Sequence, residues 1–178
     1  LGVGEPDNKT LLVKRNSSGY IEYSRIFDHK IGMSIEKTND KGYIITGSSI
    51  SLNSLEQDSI LLLKITENGI EQWSKKFLKQ GSFLGRSVQQ TSDGGFILCG
   101  GFGLIKTDGN GVEEWSQSLN GFSCNSVQQI NDGGYIASAN IGILKTDKNG
   151  IEQWRKNLGG NFDYVYMVKQ TNDEGYII

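Results

Sequence analysis

The stretch Ser87-Val88-Gln89-Gln90-Thr91-Ser92-Asp93-Gly94-Gly95-Phe96-Ile97-Leu98-Cys99 decides the fold. A polar run of β-formers enters an Asp-Gly-Gly turn, and an apolar run leaves it. Asp tolerates tight turn geometry and binds nearby backbone amides, and Gly adopts positive φ without a Cβ clash. Three further copies of the turn occur, at Asn39-Asp40-Lys41-Gly42-Tyr43, Asn131-Asp132-Gly133-Gly134-Tyr135 and Asn172-Asp173-Glu174-Gly175-Tyr176. Each reads as a β-hairpin.

A second signature alternates with the first. An apolar strand ends in Lys, a Gly turn follows, and the next strand centres on an aromatic residue. The copies run from Lys14 through Gly19 to Tyr23, Lys64 through Gly69 to Trp73, Lys106 through Gly111 to Trp115, and Lys145 through Gly150 to Trp154. Asn-Gly stands at three of these turns and is a strong hairpin signal between β-formers. Together the two hairpins define a four-strand unit, a-b-c-d, recurring about every forty residues, the spacing of a β-propeller blade. No stretch sustains a helical period.

The reading is therefore all-β: a single β-propeller domain of four blades, each of four antiparallel strands, spanning 1–178. Blade 2 covers 31–79, blade 3 covers 84–120 and blade 4 covers 124–159. Blade 1 combines 1–27 with 163–178, so that the two termini complete one blade, Leu1-Gly2-Val3-Gly4 extending the strand begun at Gly175. Closure within one chain, giving a monomeric ring, is favoured by effective concentration. A strand-exchanged dimer with eight blades is the alternative.

Composition narrows the functional classes. Of 178 residues 24 are Gly and only one is Pro, which suits tight turns and strands that keep their N–H donors. A net charge of −2, with no Lys/Arg stripe, argues against nucleic acid as a partner. The longest apolar run, Ile60 to Leu63, is far too short to insert in a membrane as a helix. Cys99 and Cys124 allow one disulfide or none.

With Lys106-Thr107-Asp108-Gly109-Asn110-Gly111-Val112-Glu113-Glu114-Trp115 added, the Ser87–Ile97 string resembles the tandem β-propeller repeats of secreted bacterial and archaeal proteins, and also NHL-type blades. The resemblance implies a propeller fold and an extracellular or cell-surface setting. Such repeats serve as adhesion, binding and scaffolding modules, and also accompany enzymatic domains.

The chemistry-bearing residues read mostly as structural. Asp40, Asp93, Asp132 and Asp173 cap turns rather than form a cation ring. Lys14, Lys64, Lys106 and Lys145 pack their stems between blades and send the ammonium to water or a carboxylate. Tyr23, Trp73, Trp115 and Trp154 fill gaps between sheets. Thr107–Gly111 and Thr146–Gly150 lack the spaced ligands of a calcium loop. No nucleophile elbow, metal set or cofactor motif appears, so no enzyme activity and no cofactor is expected.

What remains is a rim. The b–c and d–a loops of a propeller emerge on one face, and loops on a rigid scaffold commonly carry binding sites. The candidate rim comprises His29, Ser51, Asn53, Glu56, Phe83, Arg86, Phe122, Asn125, Phe162 and Tyr164. Tyr166 is aligned with Arg86 and Asn125 at the mouth of strand a. The function expected is non-catalytic binding of a protein or glycan ligand. The alternatives are a structural spacer or self-assembling unit and, behind both, an enzyme-associated propeller.

Overall fold

The computed structural model describes residues 9–50, 59–79, 84–140, 142–158 and 164–178. The described residues contain β-structure and turns but no helix. Three antiparallel four-stranded meanders succeed one another along the chain. The first joins β3 (Lys30–Lys37), β4 (Tyr43–Ser49), β5 (Ser59–Ile65) and β6 (Glu71–Phe77). The second joins β7 (Gly85–Gln90), β8 (Phe96–Gly100), β9 (Gly103–Thr107) and β10 (Glu113–Gln117). The third joins β11 (Cys124–Gln129), β12 (Tyr135–Ala139), β13 (Gly142–Thr146) and β14 (Glu152–Asn157).

Two hairpins flank them. β1 (Lys9–Arg15) pairs with β2 (Ile21–Asp28), and β15 (Lys169–Gln170) pairs with β16 (Tyr176–Ile177). These hairpins are separate two-stranded sheets. The segment 1–4 expected to link them lies outside the described residues, as does 51–58. The β4–β5 ladder runs out to Ser49↔Ser59.

The middle strands are apolar without alternation because both their faces are covered. Leu62 belongs to a core shared with Val88, Phe96 and Ile105 of the second sheet. Its neighbours Leu61 and Leu63 face the other way, into a core with Phe27 and Leu12 of β1–β2. A third core, including Ile97, Leu104, Tyr135 and Leu144, joins the second and third sheets. A fourth joins Ile136 and Ile143 to Val165, Val168 and Tyr176. Each fully buried Leu or Ile contributes roughly 1.5–3 kcal/mol, so the sheet-on-sheet faces hold the array together.

Polar repeats lock the same interfaces. Gln89 Oε1 accepts from Gln129 N at 2.7 Å, and Gln128 Oε1 accepts from Gln170 N at 3.0 Å. In the opposite sense, the turn amides of Asn39, Ser92 and Asn131 donate to Gln90, Gln129 and Gln170 at 2.8, 2.8 and 3.0 Å. The glutamine pairs of β7 and β11, with Gln170 of β15, thus supply acceptors to amides that face a neighbouring sheet instead of a ladder partner.

The repeated Asp and the repeated Lys meet. Lys64 Nζ binds Asp40 Oδ2 at 2.8 Å, Lys106 binds Asp93 at 2.8 Å, and Lys145 binds Asp132 at 2.5 Å. The same carboxylates accept from the turn: Gly42 N, Gly95 N and Gly134 N donate to Asp40, Asp93 and Asp132, and Thr38 and Thr91 hydroxyls donate to Asp40 and Asp93. The hydrogen bonds from Lys64 and Thr38 hold the Asp40 carboxyl at about 2. At Asp93 burial opposes ionisation, but Lys106 and Thr91 outweigh it and again hold the carboxyl at about 2. The turn residues Asp108 and Asp147 instead accept backbone amides two and four residues on, as hairpin caps do.

Aromatic residues wedge between sheets as their repetition implies. Trp73 meets Phe96, Trp115 meets Tyr135 and Trp154 meets Tyr176, all edge-to-face with centroids 5.7–6.0 Å apart. Cys99 at the end of β8 and Cys124 at the start of β11 form a disulfide with Cα atoms 5.6 Å apart, tying the second sheet to the third.

Candidate functional site

Four segments line one cavity of about 560 Å³. They are Ser34–Lys37 of β3, Ser87–Gln89 of β7, Ser126–Gln128 of β11, and Met167–Lys169 leading into β15. Its wall mixes hydroxyl, amide and aliphatic side chains, with Glu36, Lys37 and Lys169 as charged members. Burial pushes the Glu36 carboxyl up, against the pull of the Lys169 ammonium.

One residue earlier in each segment stand Met33, Arg86, Asn125 and Tyr166. With Ser123, Asn140 and Tyr164 they line an open cup of about 500 Å³. Met33, Arg86 and Asn125 each stand at a break in the ladder register of their strand, between Gly32 and Ser34, Gly85 and Ser87, and Cys124 and Ser126, and a bulge of this kind re-aims a side chain.

The cup is built around Arg86. Its Nη1 donates to Ser123 Oγ at 2.7 Å and to Asn125 Oδ1 at 2.8 Å. Asn125 Nδ2 then donates to the Val165 carbonyl at 2.8 Å. This relay runs from β7 through β11 to the segment that leads into β15, so the guanidinium is fixed by the third unit, which is itself tied to that segment. No carboxylate pairs with Arg86 among the described residues, and a fixed guanidinium with spare donors suits a bidentate anionic partner. Tyr164 and Tyr166, on either side of Val165, line the same cup, 65% and 75% exposed, with ring centroids 6.3 Å apart and a tilted arrangement.

Of the expected rim residues, Arg86, Asn125 and Tyr164 come together here. Phe122 goes elsewhere: it packs against the core between the second and third sheets, and the Arg155 guanidinium lies 3.9 Å over its ring. His29 is exposed in the β2–β3 turn with φ of 55°, and its carbonyl accepts from Ile50 N at 2.9 Å. It marks the end of the fold from which the 51–58 segment departs, but it does not line the cup. Ser51, Asn53, Glu56, Phe83 and Phe162 lie outside the described residues. Met33, Ser123 and Asn140 were absent from the sequence-based set. Met33 carried a usable signal, since it occupies the repeat position of Arg86, Asn125 and Tyr166.

Among the described residues no group of three or more His, Cys, Asp or Glu is placed to hold a metal ion. No helix of the described residues is long and apolar enough to cross a membrane.

No protein-family model matches the chain, and no curated protein matches it. Among solved structures it is similar to a protein of unknown function from Bacteroides caccae, with a TM-score of 0.63 and 12% sequence identity. The match covers 96% of this chain and 64% of that one. At that identity the likeness is one of fold.

Proposed function

We propose that the chain is a β-propeller, or a portion of one, that serves as a non-catalytic binding module outside the cytosol. Successive four-stranded sheets packed face to face, with their first strands around one cavity, support the architecture. The Cys99–Cys124 disulfide supports an oxidising compartment.

The observation that carries the binding assignment is the Arg86 relay facing two exposed tyrosines. A cation with spare donors, an amide, hydroxyls and aromatic faces in a shallow cup suit a sugar bearing a carboxylate: the guanidinium takes the carboxylate and a phenol ring takes the apolar sugar face. The module recognises an acidic glycan at this mouth. Amide NMR titration with a trigalacturonate tests the assignment. Shifts should concentrate at Arg86, Asn125, Tyr164 and Tyr166, and Tyr166→Ala should weaken binding about tenfold, the size of one lost stacking contact, without moving the melting temperature. Scattered or absent shifts refute the site. Saturable binding of an acidic peptide at the same residues, with no response to the glycan, moves the ligand class to protein.

A further inference from the structure

The cavity lined by Ser87, Gln89, Ser126 and Gln128 has a chemistry set by hydrogen bonds that its wall has already made. Ser87 Oγ accepts from Val127 N at 3.3 Å, and Ser126 Oγ accepts from Val168 N at 3.3 Å. Two residues along each strand, Gln89 Oε1 accepts from Gln129 N and Gln128 Oε1 accepts from Gln170 N. A backbone N–H can only donate, so each bond fixes which atom of the side chain it takes. The amide oxygens turn to the neighbouring unit, and the Nε2 groups are left over. The serine oxygens likewise keep their hydrogens to donate.

The second glutamine of each pair shows the contrast. Gln90 Nε2 donates to the Gly94 carbonyl and Gln129 Nε2 to the Gly133 carbonyl, so both ends of those side chains are used. Gln89 and Gln128 have no such acceptor among the described residues, and both line the cavity. The only fully buried side-chain polar atom without a partner among the described residues is Ser138 Oγ, so neither amino group is sealed in protein. The donors form two tiers about 7 Å apart along the strands, hydroxyls in one and amino groups in the other. All four residues belong to β7 and β11, within the complete sheets.

Charge extends the amino tier on both sides. Glu36 of β3 holds the repeat position of Gln89 and Gln128, and so does Lys169 of β15. Lys169 is near enough to act on the Glu36 carboxyl, but no side-chain ion pair or hydrogen bond engages either group among the described residues. The tier therefore runs carboxylate, amino, amino, ammonium across the four segments. Lys37 adds a second ammonium, and Ile35 and Met167 add aliphatic wall. At about 560 Å³ the cavity falls in the range of small-molecule sites, about 300–1,000 Å³.

We propose that this cavity binds a small zwitterion, an amino acid or a dipeptide, with its carboxylate on the Gln89, Gln128 and Lys169 donors and its ammonium on Glu36. An acceptor-rich end is required because the amide oxygens of the wall are occupied, and a carboxylate satisfies several donors at once through charge-assisted bonds. A dicarboxylate would set one of its charges against Glu36. A neutral sugar would leave the carboxylate and the ammonium of the wall unpaired. The apolar part of the zwitterion meets Ile35 and Met167. The site is separate from the tyrosine cup, whose residues precede these by one in each segment, and it does not rest on the glycan assigned there.

Calorimetry and side-chain amide NMR on the chain, titrated with leucine and with the dipeptide Ala-Leu, test the proposal. At least one should bind saturably and shift the Nε2 signals of Gln89 and Gln128, and the tighter of the two gives the length of the ligand. Gln128→Glu keeps an oxygen for Gln170 N but turns the cavity-facing donor into an acceptor. It should weaken binding about tenfold with the melting temperature unchanged, and Gln89→Glu should do the same while serving Gln129 N. Glu36→Gln should weaken the zwitterion about tenfold yet leave its N-acetylated form, which has no ammonium, bound as before. Glutamine signals that stay in place with both ligands mean a cavity filled by water only, and the proposal falls. Equal affinity of the native chain for the N-acetylated form, or unaltered binding in both glutamate variants, also overturns it.

Discussion

Replacing Gly95 with alanine tests the argument that the turn glycines are selected by contact. Gly95 does not adopt positive φ, so alanine meets no backbone strain there. Loss of glycine freedom in the unfolded chain would by itself stabilise the protein by about 0.4–1 kcal/mol. Against this, the new Cβ would stand 2.2 Å from the Thr107 carbonyl and 2.6 Å from Lys106 Nζ. Thr107 is pinned by its ladder pairing with Phe96, so the carbonyl moves only if the β8–β9 register is disturbed. Overpacking of this kind costs about 1–3 kcal/mol. Displacing the ammonium from Asp93, whose side chain is 57% exposed, adds up to about 1 kcal/mol after solvent screening. The net expectation is a loss of about 2 kcal/mol, read from urea unfolding followed by tryptophan fluorescence. Gly109→Ala is the control, since its Cβ would come no closer than 3.2 Å to the Gly94 carbonyl, and it should lie near zero. A Gly95→Ala chain as stable as the native one would refute the reasoning.

Reduction should expose the contribution of the disulfide. Cys99 and Cys124 are 25 residues apart, and closing a loop of that size stabilises by about 3 kcal/mol; an unchanged unfolding midpoint in dithiothreitol would contradict this. Acid should act through the turns. Asp40 and Asp93 lie at about 2 in the folded chain against an ordinary 3.8, so their stabilisation is full above the ordinary value and disappears as pH falls from there through about 2. Melting temperatures across that window should fall less steeply in an Asp40→Asn, Asp93→Asn double variant than in the native chain, and parallel slopes would show that other groups carry the acid sensitivity.

The hairpins were legible in the sequence because their signals are local. An Asp-Gly or Asn-Gly turn between β-formers works through a few neighbouring backbone groups, and among the described residues such turns close hairpins, apart from Asn120-Gly121, which links β10 to β11 of the next sheet. The alternation of hairpins also gave the four-strand unit, since consecutive antiparallel strands need only short links. Even the aromatic wedges could be read, because one residue type recurring at one repeat position implies one environment.

Contacts between units were a different matter. Asp93 and Lys106 were each singled out, but as separate repeats, because their thirteen-residue separation becomes an ion pair only after β7, β8 and β9 fold into a meander. The paired glutamines carried no readable signal at all: their oxygens matter because an amide about forty residues away faces them across a sheet interface. The place of Phe122 needed the tertiary structure for a related reason. A loop phenylalanine on a rim and one packed against a core have the same local sequence, and the contacts with the core and with Arg155 of β14 distinguish them. Arg86, Asn125 and the tyrosines were recognised as rim residues, but the relay that makes them a site spans three units. Turn chemistry is settled within about five residues of chain, and the sequence records it; a binding surface made of one residue from each repeat exists only once the repeats are set side by side.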